Sequence, residues 1–308
     1  MSASINKSIV LIHGQGPQPE AHALEQLWRD ALLAGLRRDR PALAPALEAV
    51  DLQMAFYADA YPLERKEAYD AQLDLADLTN AFKNLAALDK PRRFRRREYD
   101  QLPGKSALKE FLADVGAPLA RGVGLDRASL KRRLPESAAY WGAEASYAGA
   151  VQERLLALLA PLLEAKRSVL LIAHGFGAVI AYDCLWRLSH EARYQETGRL
   201  HTLLTLGSPL SDDSVRARLL GRREPHQQRY PGNLTFWHNV AAEDDAVCHD
   251  ETVLNDFYAM LKAQRLSAIE DHLIYNLAVR YGRSDPHCSL GYLIHPRVAT
   301  LLGDWLEG

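Results

Sequence analysis

Three short stretches carry the residue types of acyl-transfer chemistry, and the first of them lacks its hydroxyl. Between residues 168 and 182 the chain reads Ser-Val-Leu-Leu-Ile-Ala-His-Gly-Phe-Gly-Ala-Val-Ile-Ala-Tyr, an apolar strand that passes through a turn of small residues into a helix. In Gly-x-Ser-x-Gly, small residues flank a strained turn that lifts one hydroxyl clear of a sheet. Here Ala173-His174-Gly175-Phe176-Gly177 keeps that frame and places glycine where the serine would stand. An acidic loop, Ala242-Glu243-Asp244-Asp245-Ala246-Val247, follows a later apolar strand, and Pro286-His287-Cys288-Ser289-Leu290-Gly291-Tyr292 precedes the last helix. In nucleophilic acyl transfer the turn residue attacks a carbonyl, a histidine takes and returns the proton, and an acid fixes the tautomer of the histidine. The chain therefore offers a nucleophile position, an acid and a base, in that order.

The order and the motifs together resemble the α/β-hydrolase superfamily, in its lipase and esterase branch, over nearly the whole chain outside residues of about 58–140. Ser8-Ile9-Val10-Leu11-Ile12-His13-Gly14-Gln15-Gly16-Pro17 is similar to that family's third strand and its His-Gly oxyanion loop. Leu203-Leu204-Thr205-Leu206-Gly207-Ser208-Pro209 resembles the strand and turn after the nucleophile helix, and Leu234-Thr235-Phe236-Trp237-His238-Asn239-Val240 the strand that delivers the acid.

The resemblance implies Gly175 at the nucleophile position, His287 as base and Asp245 or Asp244 as acid. The family's spacing of Asp, one residue, then Val favours Asp245. His295 is the rival base, but His-Pro at a helix entrance reads as a capping neighbourhood. Backbone N–H groups of Phe176 and Gln15 would form the oxyanion hole, which needs no particular side chain and survives the loss of serine. His13 and His174 are expected to support the site, and Ser208 to belong to a turn. The implied activity is serine-type hydrolysis of carboxylic esters. Glycine at 175 then marks either an inactivated form of a serine-bearing enzyme or a natural ligand-binding relative; retention of the histidine, the acid and the oxyanion loop favours the first.

Periodicity supplies the elements that would position these residues. Leu24, Leu27, Trp28, Ala31, Leu32 and Gly35 follow helical spacing, as do Val151, Leu155, Leu158, Leu159 and Leu162. Pro296 opens a last helix whose stripe is Val298, Leu301, Leu302, Trp305 and Leu306. Continuous apolar runs such as 169–173 fit strands covered on both faces, hence a mostly parallel sheet flanked by helices, an α/β fold; the resemblance implies that it is of the α/β-hydrolase type. Residues 1–57 and 141–308 are expected to form that core. Residues 58–140 break the alternation, with helices expected around 63–88 and 105–119, and read as a helical cap or lid over the carboxyl edge of the sheet. Their basic runs, Lys90-Pro91-Arg92-Arg93-Phe94-Arg95-Arg96-Arg97 and Lys131-Arg132-Arg133, either form a solvated face or attract an anionic substrate, a membrane surface or an acidic partner.

Composition removes other classes. A net charge of −2 argues against nucleic acid as a partner, and no apolar run approaches the length of a transmembrane segment. Residues 1–7 are too short and polar for a signal peptide, so a cytoplasmic location is expected. Cys184, Cys248 and Cys288 read as free thiols. Ile180 stands where a dinucleotide fingerprint needs its third glycine, there is no phosphate-loop motif, and neither His-Glu-x-x-His nor Cys-x-x-Cys occurs. No cofactor and no metal are expected, and the partner is a small ester or acyl molecule of unspecified chain length.

Overall fold

Apolar residues in unbroken succession, as in 169–173, make strands that must be covered on both faces; six strands, the outer ones less apolar, form one parallel sheet. The computed structural model describes residues 6–60, 69–104, 135–142, 145–194, 197–248 and 251–308. In chain order they build strand β1 (Lys7–Ile12), helix α1 (Ala21–Asp39), β2 (Asp51–Ala55), α2 (Ala71–Ala86), α3 (Ala145–Glu164), β3 (Ser168–His174), α4 (Gly177–His190), β4 (Leu200–Leu206), β5 (Leu234–Ala242), α5 (Leu254–Ala263), β6 (Ala268–Ile274), α6 (Ser289–Leu293) and α7 (Pro296–Glu307). The sheet order is β2-β1-β3-β4-β5-β6, all neighbours parallel. The expected α/β class is what the chain adopts.

Alternation along each strand divides the core in two. Ile9, Leu11, Leu170, Ile172 and Leu204 pack under α1 and α7. Val10, Ile12, Val169, Leu171 and Leu203 face α3 and α4 on the other side. Leu171 is fully buried, and truncating such a side chain to alanine costs about 2–5 kcal/mol. Helix ends are set by local chemistry. The Asp70 carboxylate accepts from the N–H groups of Gln72 and Leu73 at 3.0 Å each and starts α2.

Within 58–140 the helix expected over 63–88 is α2, which begins at Ala71, and residues 61–68 lie outside the described residues. The helix expected over 105–119 and the basic run Lys131-Arg132-Arg133 also lie outside them. Leu78, Leu85, Phe94 and Tyr99 share one apolar cluster with α1 and α7, so this part of the segment packs on the core. Arg280 pairs with Asp74 and Asp77 and ties α2 to the far end of the chain. The arginines at 92, 93, 95, 96 and 97 are exposed around buried Phe94. Among the described residues no helix is long and apolar enough to cross a membrane.

The strand order reverses between β1 and β3: β1 continues outward to β2, and β3 to β4. Such a switch point opens a crevice at the carboxyl ends of the two strands. The loops holding His13, Gly14 and Gly175 leave the sheet there.

Candidate active site

Glycine is demanded at several places where loops converge on this crevice. Gly175 takes φ +53°, a left-handed conformation that side chains rarely adopt. Its N–H extends the ladder to the Leu206 carbonyl at 2.9 Å, and its carbonyl accepts from Ala178 N–H at 3.1 Å to begin α4. A Cβ at Gly177 would lie 2.4 Å from the His13 carbonyl oxygen, so the first residue of α4 can only be glycine while it packs this closely on the β1 loop. Thus the strand, the tight turn and the helix sit against the His13-Gly14-Gln15 loop, and a Cβ at 175 would lie 3.5 Å from Gly14 Cα.

Two loops from the far side of the sheet meet at the same point. His287 Nδ1 stands 2.9 Å from Asp245 Oδ2. With the hydrogen on Nδ1 donated to the carboxylate, Nε2 carries the lone pair, and it lies 3.0 Å from where a Cβ at 175 would be. Asp245 is 4% exposed. Its Oδ2 also accepts from the Tyr292 hydroxyl at 2.6 Å and its Oδ1 from Val247 N–H at 2.9 Å. Burial alone would raise the Asp245 carboxyl. The hydrogen bond and charge of His287, with Tyr292 and Val247, outweigh it and hold the group below its usual range. Asp245 is therefore an anion that fixes the ring of His287.

Three of the residues singled out in the sequence, Asp244, His295 and Ser208, are bonded apart from this pair. Asp244 turns away, taking φ +60° and accepting from the Tyr99 hydroxyl at 2.9 Å. His295 precedes α7 and accepts from Arg297 N–H through Nδ1 at 3.1 Å, so it caps that helix. The Ser208 hydroxyl accepts from Leu210 N–H at 3.2 Å within a buried turn. Among the described residues, neither the Phe176 nor the Gln15 backbone N–H donates to a protein acceptor. The three cysteines are buried and free.

Other residues complete the centre without having signalled themselves in the sequence. The Tyr292 hydroxyl bridges Asp245 and Ala242 N–H, the latter at 3.0 Å. Gly207, at φ +54°, leaves room for the pair: a Cβ there would lie 2.7 Å from Asp245 Oδ2 and 3.2 Å from His287 Nδ1. Asn276, fully buried, holds the histidine loop by donating to the carbonyls of Pro286 and Cys288 at 2.8 and 2.9 Å. Of the two histidines that the sequence singled out as supports, His174 bonds the His287 carbonyl through Nε2 at 2.8 Å, and His13 Nε2 accepts from Tyr57 N–H at 3.0 Å. Burial lowers the pKa of His13 to about 4 and that of His174 to about 3, so both rings are neutral supports.

A cavity of about 270 Å³ lies beside α4 and α5, lined by Tyr182, Arg216, Arg222, Arg229, Tyr230 and Phe257 among others, and includes neither His287 nor Asp245. Among the described residues, one set of three metal-ligand side chains converges: His238, Glu270 and His272, on β5 and β6.

Comparison of the chain with protein-family models, with curated proteins and with solved structures gives no match. The functional reading rests on the geometry just described.

Proposed function

We propose that the chain is of the α/β-hydrolase type and that its centre is built for serine-type hydrolysis of carboxylic esters, in a form inactivated by glycine at 175. The observation that carries this reading is the aim of His287 Nε2 at the Cβ position of residue 175, with Asp245 bonded behind the ring. A serine there would place its hydroxyl against Nε2. The histidine would take the proton as the oxygen attacked the ester carbonyl, and return it to the departing alkoxide. The Phe176 and Gln15 N–H groups would receive the oxyanion. Water would then release the acid by the same steps in reverse roles.

In the present chain no atom can attack, so the site holds an ester or acyl ligand without forming an acyl-enzyme. In this proposal residues 58–140 act as a cap, their exposed arginines at 92–97 draw anionic ligands or partners, and the protein works in the cytoplasm. A second reading, a natural ligand-binding relative, is favoured by one measurement. The 3.0 Å approach of Nε2 to the Cβ position is tighter than ordinary contact, so His287 has settled into part of the room a side chain would use.

Gly175→Ser separates the two. On the first reading the variant hydrolyses a short-chain p-nitrophenyl ester and takes up a fluorophosphonate probe at residue 175. A well-folded variant that does neither across a broad ester panel overturns it.

A further inference from the structure

His238 on β5 and Glu270 and His272 on β6 point to the same face of the sheet, because β5 and β6 run parallel in the register His238↔Glu270, Val240↔His272. Their ligand atoms form a compact triangle. His238 Nδ1 is 3.4 Å from Glu270 Oε2, His272 Nε2 is 3.8 Å from the same oxygen, and the two nitrogens are 3.4 Å apart. Ordinary hydrogen bonds between such groups are shorter, about 2.7–3.2 Å. The contact between the two imidazole nitrogens is a long hydrogen bond, so the three groups surround a common point without bonding tightly to one another.

Two of those edges, at 3.4 Å, match a metal's needs, and the 3.8 Å edge is slightly wider. A zinc ion holds imidazole nitrogen at about 2.0–2.1 Å and carboxylate oxygen at about 2.0–2.2 Å with tetrahedral angles, which sets ligand atoms about 3.3–3.5 Å apart. A point roughly 2.1 Å from all three atoms exists inside the observed triangle. We infer that His238, Glu270 and His272 form a binding site for a divalent transition metal ion of the zinc type, remote from the His287 and Asp245 centre and independent of it.

The donor set and the scaffold both favour this. Two imidazoles and one carboxylate suit zinc and its neighbours rather than magnesium or calcium, which take oxygen ligands. The side chains of His238 and His272 are 17% and 12% exposed, whereas Glu270 is 52% exposed, which leaves a fourth position open to water. On the opposite face Asn239 Nδ2 donates to Asp271 Oδ1 at 3.0 Å, and Asp271 accepts from Val253 and Leu254 N–H at the start of α5. That ladder pins the register of β5 and β6, so the three ligands are held before any ion arrives. The ion would in turn staple β6, at the edge of the sheet among the described strands, to β5.

The test uses the full chain stripped with chelator and titrated with Co²⁺, then with Zn²⁺ in competition. Visible d–d absorption of a tetrahedral site saturating at one equivalent, displaced by Zn²⁺, is expected, with a Zn²⁺-dependent rise in the thermal midpoint. His238→Ala and His272→Ala should abolish the absorption. Glu270→Gln, at an exposed position that leaves the fold intact, should weaken binding about tenfold or more, the loss that even an outer partner of a metal typically causes. His226→Ala, an exposed histidine elsewhere, should leave it unchanged. No saturable absorption, or the same affinity in Glu270→Gln as in the parent, overturns the site.

Discussion

His174, the last residue of β3, bonds the backbone carbonyl of His287 through Nε2 at 2.8 Å, and the two rings lie 4.5 Å apart at 34°. The residue beside Gly175 thus holds the loop that carries His287. Through this contact the turn and the histidine loop keep a fixed spacing, which the proposed acyl transfer would need because misplacement by about 1 Å can lower a rate about 100-fold.

The two supports of His287 should separate kinetically in a Gly175→Ser protein. Asp245→Asn reverses the tautomer preference and is expected to lower kcat about 10⁴-fold. His174→Phe keeps a ring in place but loses the bond to the loop, and a loss of roughly 10-fold to 100-fold is expected. Ester-hydrolysis kinetics on both variants check this; a His174→Phe loss as large as that of Asp245→Asn would show that His174 does more than position the loop.

Asn276 should be a stability determinant out of proportion to its size. Besides its two donated bonds it accepts from Ala278 N–H at 3.0 Å, and a Cβ at Gly291 would lie 1.7 Å from its Oδ1. Asn276→Ala leaves buried backbone groups without partners, at a cost of about 3 kcal/mol. Urea unfolding measures it, and a change within about 0.5 kcal/mol, as at an ordinary surface site, would refute the role.

The acid limb of stability should divide between opposing groups. Burial, with the charges of Arg38 and Arg297, lowers the His295 pKa from 6.5 to about 3. Unfolding between those values takes up a proton, so stability falls as pH falls below 6.5, and His13 and His174 act in the same direction. Asp183 works oppositely: burial raises its pKa from 3.8 to about 7, so unfolding in that window releases a proton and stability falls as pH rises. Between about pH 4.5 and 6, His295→Gln should flatten the slope of stability against pH by about 1.4 kcal/mol per unit, and Asp183→Asn should steepen it by a similar amount. Unfolding free energies measured across that range read both; parallel curves for parent and variants would rule the assignments out.

The sheet was legible where its strands are unbroken apolar runs, as at 169–173, and not at β6, whose Glu270, Asp271 and His272 break the pattern; the loops of Gly175, Asp245 and His287 were legible because each is a local pattern of few residues. Asp245 and Asp244 could be ranked only by resemblance, since adjacent carboxylates differ in where the turn points them, and φ +60° at Asp244 is a property of the folded loop. Tyr292, Gly207 and Asn276 were silent because each acts across the fold: Tyr292 meets an aspartate 47 residues away. The triangle of His238, Glu270 and His272 depends on the register of two strands joined through a helix, and no spacing along the chain announces it.

Glycine at φ +53° also has an energetic meaning for the whole molecule. A serine held in that left-handed conformation would carry steric strain of about 1–2 kcal/mol, and here it would also press on His287 Nε2. Glycine carries no such strain. If the proposed function holds, a serine there would be the most expensive residue of the turn, a stability–activity trade-off in which Gly175→Ser should lower thermal stability.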